Sequence, residues 1–285
     1  MAPQWMRFRH TGWLFSLLLT LGLQGCLLTS NTLAPRHRQP LKTPDSYDVI
    51  SLKLDAPSSP KARTSRNMDL QGNNRDLQGL YPNDVLNVVN NYNYNVRKRL
   101  AQDFKAAELP YPPARLALLA FKKERRLELW GGTHTGPMKW IKRYPFTAFS
   151  GELGPKRMQG DRQIPEGIYR ITFLNPNSSY HLSMKLDYPN EFDRAVALMD
   201  HRADLGGDIF IHGEEYSIGC IALGNRAIEE LFVLTAWAGM ENVQVIVAPY
   251  DLRRHKEIKP LDEIPWTKEL YTRIKLSLLA FNKPS

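Results

Sequence analysis

Residues 208–220, DIFIHGEEYSIGC, decide how this chain is to be read. DIFIHG is a short apolar strand ending in His212, and a tight polar loop carries the chain on to Cys220. Glycines at 213 and 219 permit sharp turns, and Gly219 lets a carbonyl group approach the amide of Cys220. The thiolate is the reactive form of cysteine, so nucleophilic duty needs a base or a lowered pKa nearby, and a histidine supplies either. On spacing alone two readings stay open. One is a nucleophile and base with backbone amides as an oxyanion hole; the other is a small buried cysteine near a satisfied core histidine. One cysteine and scattered histidines offer no compact set of zinc spacing, so neither a metal nor a cofactor is expected.

Working outward, NRAIEELFVLTAWAG (225–239) reads as a helix, VQVIVAPY (243–250) as a buried strand and WTKELYTRIKLSLLAF (266–281) as an amphipathic helix. Upstream, glycine and proline punctuation over 140–190 predicts an antiparallel sheet with structured loops. RLALLAFKKERRLELWGG (115–132) predicts a hairpin about its charged turn. Before it, Val85, Val88, Val89, Tyr92, Val96, Leu100 and Phe104 recur at helical spacing. Asp84 is the expected N-cap of that helix, and the prolines at 110, 112 and 113 are expected to end it. The fold class expected is mostly β with helices.

The N-terminus, MAPQWMRFRHTGWLFSLLLTLGLQGC, has a basic start and an apolar run from Thr11 to Leu23, the pattern of an export signal. That run is shorter than the roughly 20 residues a membrane span requires. Residues 27–83 are rich in Pro, Ser, Arg, Asn and Gln and read as a disordered polar tether. The net charge of +9 favours an anionic partner such as nucleic acid, anionic lipid or a wall polymer. Export argues against the first. LQGC (23–26) resembles the lipobox of bacterial lipoproteins, which implies lipidation at Cys26, and Leu27 in place of Asp implies the outer membrane. The alternative is an ordinary signal peptide with a chance cysteine. If Cys26 carries lipid, Cys220 has no intramolecular partner in an oxidising compartment.

HGEEYSIGC, taken with FKKERRLELW, GELGPKRMQGDRQIPEGIYRI, LNPNSSYHLS, YPNEFDR and IFIHG, resembles the YkuD-domain L,D-transpeptidases, and in particular their YafK-type branch. The likeness covers roughly residues 110–250. It implies a YkuD-like β-sandwich or barrel as catalytic domain, after a signal peptide (1–25), a tether (26–83) and a helix (84–109), and before a helical extension (251–285). It further implies an enzyme acting on peptidoglycan stem peptides. Cys220 would attack the carbonyl at the L-centre of diaminopimelate and hold a thioester, with His212 as general base and acid. The Gly213 carbonyl would orient His212, and the Gly219 and Cys220 amides would form the oxyanion hole. Ser217 would order the loop or take a direct part. His181 would line the donor site or support the loop, and Lys156, Asp161 and Glu166 would shape the cleft.

The better-known transpeptidases have histidine, a bulky residue and arginine where Ile218, Ile221 and Ala222 stand here. Gly224 and Asn225 replace a Thr and Asp frequent in the YafK-type branch. That branch implies hydrolysis of the amide joining diaminopimelate to a lysine of an outer-membrane lipoprotein, placing the enzyme on the periplasmic face of the envelope. The rivals are a transpeptidase making cross-links or attaching proteins, an L,D-carboxypeptidase, and a non-catalytic wall-binding lipoprotein. No nucleic-acid partner is expected.

Overall fold

The computed structural model describes residues 82–282. The expected signal peptide, Cys26 and all but the last two residues of the tether lie outside them. The strands are β1 (Arg115–Phe121), β2 (Arg126–Gly132), β3 (Lys139–Pro145), β4 (Gly167–Ser178), β5 (His181–Leu186), β6 (Phe210–His212), β7 (Ile221–Ala222) and β8 (Val243–Ala248). They form one mixed sheet in the order β3-β2-β1-β8-β4-β5-β6-β7. Only β1–β8 and β6–β7 run parallel. The expected hairpin is β1–β2, with Arg125 at φ 47 in its turn.

β1 and β8 are near-continuous apolar runs because both faces of the sheet are covered there. Leu116, Leu118, Ala120, Val243, Val245 and Val247 face one core; Ala117, Leu119, Phe121, Ile246 and Ala248 face the other. Helices α1 (Asn83–Ala106) and α3 (Asn225–Ala238) cover the first core, and α4 (Thr267–Leu278) covers the second through Leu270, Tyr271, Ile274 and Leu278. Glu230 of α3, wholly buried, ties this layer together by accepting from Arg99 of α1 (2.7 Å), Lys142 (3.0 Å) and Tyr144 (2.9 Å) of β3.

The start of α1 differs from expectation. Pro82 holds the N-cap position and Asp84 lies in the first turn, where its carboxylate accepts from the Val85 amide and faces the positive end of the helix dipole. The helix stops at Ala106, four residues before the first proline. A further helix, α2 (Glu191–Met199), was not anticipated; it starts with a reciprocal capping box between Asn190 and Asp193.

β3 ends one edge of the strand order and β7 ends the other, yet the chain leaving β3 reaches β7. The Thr147 amide donates to the Ala222 carbonyl at 2.9 Å, and Ala148 bridges Ala222. This segment turns the sheet into a half-barrel and brings residues 147–150 against the loop that carries Cys220.

Candidate active site

The parallel register of β6 and β7 sets Ile211 opposite Ile221 and His212 opposite Ala222. Side chains alternate between faces, so Cys220, two residues before Ala222, returns to the face of His212. With strands about 4.8 Å apart and a rise of about 3.3 Å per residue, the diagonal between their Cα atoms is about 8 Å. A thiol and an imidazole can close that gap. The eight-residue spacing is therefore a strand end, a loop and the first residue before a parallel neighbour.

His212 is 2% exposed, and its Nδ1 lies 2.6 Å from the Gly213 carbonyl oxygen. A carbonyl only accepts, so the hydrogen-bond geometry assigns the proton to Nδ1 and leaves Nε2 as the basic lone pair. Burial lowers the pKa of the imidazole, with the Gly213 carbonyl opposing it. Tyr180 covers the ring at 4.6 Å between centroids, and Tyr216 stacks on Tyr180 at 6.4 Å. Glycine is required at 213: a Cβ there would sit 2.5 Å from Asn225 Oδ1 and 2.8 Å from the Tyr180 carbonyl oxygen. Asn225 itself accepts from the Glu214 amide and donates to the Glu214 carboxylate, fixing the turn that follows.

Cys220 Sγ accepts from the Phe210 amide at 3.4 Å and lies 3.8 Å from the Asp208 carbonyl oxygen. Burial pushes the thiol pKa up; the Phe210 amide opposes this, Asp208 adds to it, and the Lys156 charge opposes it. A raised thiol beside a lowered imidazole makes the resting pair neutral. No hydrogen bond joins Sγ to the imidazole among the described contacts, so the thiol must rotate toward Nε2 before transfer, a tightening that unliganded sites commonly leave to substrate. In front of Sγ lies a cavity of about 200 Å³ lined by Asn175, Ser178, Ser179, Tyr180, Ser183 and Phe210. Its lining residues carry hydroxyls, an amide and rings but no charged side chain, and the wall they expose is mostly apolar.

The other expected residues divide. The Ser217 hydroxyl donates to the Cys220 carbonyl at 2.7 Å, which orders the loop. Gly219 sits at φ 121, a region L side chains rarely adopt. Its amide, expected to face an oxyanion, instead donates to Ser150 Oγ at 2.7 Å and, at the longer distance of 3.4 Å, to Ser217 Oγ. Lys156 is nearly buried, its ammonium donating to Asp161 Oδ1 at 2.6 Å and to the Met158 carbonyl at 2.8 Å. Its place is inside the loop, where it acts on the thiol only as a charge. Burial would raise the Asp161 carboxyl, but Lys156 and the amides of Met158, Arg157 and Gln163 outweigh it and hold the group below its ordinary value. Glu166 is wholly buried against Lys122 and supports the 154–166 loop from beneath.

His181 lies apart from the cavity. Its Nε2 is 3.1 Å from Glu229 of α3, and its ring meets Tyr92 of α1 edge-on. Tyr180, one residue earlier, lines the cavity instead. The residues that sequence reasoning missed are Tyr180, Phe210 and Ser150. Among the described residues no group of three or more His, Cys, Asp or Glu side chains could hold a metal ion, and no helix is long and apolar enough to cross a membrane.

Residues 117–247 match the profile of YkuD, the L,D-transpeptidase catalytic domain, and the chain carries a domain of that type over this stretch. YafK of Escherichia coli strain K12, provisionally named an L,D-transpeptidase, is 36% identical over 147 residues, covering 48% of this chain and 56% of that protein. The alignment thus spans little more than half of the curated relative. Among solved structures, the helical cell shape determining protein Pgp2 (K307A mutant) from Campylobacter jejuni matches with TM-score 0.40 and 21% identity, over 57% of this chain and 55% of that one. Bd1075 from Bdellovibrio bacteriovorus matches with TM-score 0.35 and 20% identity, over 59% and 55%.

Proposed function

We propose that this chain is a cysteine-dependent acyl-transfer enzyme of peptidoglycan stem peptides that hydrolyses the amide linking peptidoglycan to an outer-membrane lipoprotein. The observation that carries the reading is the thiol of Cys220 and the imidazole of His212 on one face where β6 meets the chain entering β7, with Nδ1 committed to the Gly213 carbonyl and a cavity without charged side chains in front of the sulfur. The matched catalytic domain and the YafK relative support peptidoglycan as the polymer.

In this reading Nε2 of His212 removes the thiol proton as Sγ attacks the carbonyl at the L-centre of diaminopimelate. The imidazolium then protonates the departing amine, and a thioester remains on Cys220. Water, deprotonated by the same Nε2, attacks the thioester and releases the carboxylate and the thiol. Lipid on Cys26 would hold the domain at the periplasmic face of the outer membrane, with the segment before α1 as its reach.

Sacculi bearing covalently attached lipoprotein, incubated with the wild type and with Cys220→Ala and analysed by mass spectrometry, test this. Loss of the lysine-bearing remnant without new cross-links is the expected result. New diaminopimelate-to-diaminopimelate links would make the enzyme a transpeptidase, and release of terminal D-alanine a carboxypeptidase. Equal activity in Cys220→Ala would overturn the mechanism.

A further inference from the structure

Ser150 lies seventy residues before the cysteine and belongs to none of the motifs above. Its hydroxyl accepts the Gly219 amide at 2.7 Å and lies 3.1 Å from Ser217 Oγ. Ser217 spends its single proton on the Cys220 carbonyl at 2.7 Å, so at the Ser150–Ser217 contact Ser217 must accept and Ser150 donate. The proton order is then fixed throughout: Gly219 N–H to Ser150 O–H to Ser217 O–H to the Cys220 carbonyl, with a second, longer branch from the Gly219 N–H straight to Ser217 Oγ at 3.4 Å. Hydrogen bonds in such a chain polarise and strengthen one another.

The chain pins the backbone on both sides of one peptide plane, the plane that carries the Cys220 N–H. Gly219 is held on one flank through its amide and Cys220 on the other through its carbonyl. Gly219 also has the backbone of Gln163 against it, since a Cβ would stand 3.2 Å from that carbonyl oxygen. The Gly219 amide points to the segment that closes the half-barrel, whereas Sγ and the cavity lie on the β6 side.

We propose that Ser150 is a positioning residue: it latches the turn before Cys220, takes the Gly219 amide out of the oxyanion site and leaves that duty to the Cys220 amide whose plane it fixes. The purpose of the latch rests on the acyl-transfer reading; its existence does not.

Two small probes of Cys220 in the full-length protein separate the effects, each followed at the Cys220 peptide by mass spectrometry. Acylation by p-nitrophenyl acetate passes through a tetrahedral oxyanion. Alkylation by iodoacetamide does not, and reads the thiol alone. Losing an oxyanion donor outright costs about 100-fold or more, so loosening one predicts that Ser150→Ala slows acylation about tenfold. Alkylation changes less than twofold, and Ser150→Thr restores acylation. An unchanged ratio of the two rates overturns the proposal. A faster acylation overturns it too, by making Ser150 a plug on the Gly219 donor. Should Ser150→Ala fail to fold, Ser150→Cys, whose sulfur is a weaker acceptor, is read by the same two rates with the same outcomes deciding, and exchange of the wild-type Gly219 amide at the rate of an open loop refutes the latch. Neither probe needs peptidoglycan, so a protein inert on sacculi that still shows the shifted ratio retires the proposed substrate and keeps the latch.

Discussion

Replacing Lys122 with methionine should destabilise the protein by about 3–5 kcal/mol, the usual cost of removing one partner of a buried ion pair. Lys122 and Glu166 are wholly buried and 3.0 Å apart. Lys122 also donates to the carbonyls of Gly154 (2.6 Å) and Ile164 (2.9 Å), and Glu166 accepts from the Gly154 amide (2.7 Å) and Tyr271 (2.8 Å). Burial pulls the Lys122 pKa down against the attraction of Glu166. The pair is thus a weak source of net stability, and its worth lies in what each member does for the other. Glu166→Leu should cost a similar amount. In the double variant no charge is stranded, but the Gly154 amide, the Gly154 and Ile164 carbonyls and the Tyr271 hydroxyl lose partners at about 1 kcal/mol each. Its cost is therefore about 4 kcal/mol, against a sum of about 6–10 kcal/mol for the singles. Urea denaturation followed by tryptophan fluorescence, with the slope checked for constancy, measures all three. Strict additivity, or a single replacement costing under about 1 kcal/mol, would refute the reasoning.

Two further outcomes follow from buried groups near the sheet. Burial lowers the His212 pKa, and the neutral imidazole is the working form, so the acid limb of the hydrolysis rate should fall below the ordinary imidazole value of about 6.5; a limb at or above it in a pH–rate profile on sacculi would count against His212 as the base. Burial raises Asp193 to about 7, with the Asn190 amide and Tyr169 opposing the shift. An acid raised on folding keeps its protonated form, so its contribution is full below the unfolded value and is lost as pH rises through about 7, by about 4 kcal/mol in all. Asp193→Asn can keep contacts to the Asn190 amide and Tyr169, and should flatten the loss of stability between pH 5 and pH 8; equal pH slopes for both proteins in urea titrations would sink this.

Much of the architecture was legible because the hydrophobic period is strong where burial is one-sided or complete. Val85 to Phe104 keep helical spacing because one stripe of α1 packs on the core, and the runs at β1 and β8 are continuous because cores lie on both faces. Helix α2 escaped because it is nine residues long, with only Asp193, Val196 and Ala197 buried. The pair His212 and Cys220 could be named from a local motif, but its geometry depends on a parallel register that no local pattern encodes. His181 drew attention as a titratable side chain in the SSYHLS stretch. Tyr180 sits in the turn between β4 and β5, and His181 enters β5 at φ 70, so the two side chains part at that turn and the tyrosine takes the cavity. Ser150 was invisible for a different reason: what brings it to Gly219 is the closure of the sheet by the chain leaving β3. The Gly219 amide was expected to be free because a sequence does not announce which acceptor will reach a donor.

The Phe210 amide stands where the β6–β7 ladder runs out, and the acceptor it finds is the Cys220 sulfur rather than a carbonyl. The reacting atom therefore also completes the strand end. An alanine at 220 is not a silent blank: it removes the nucleophile and strips an amide of its acceptor, at a cost of up to about 1 kcal/mol. Cys220→Ser, which retains an acceptor, is the better-matched inactive reference, and differences between the two blanks would measure how far the strand end leans on its own nucleophile.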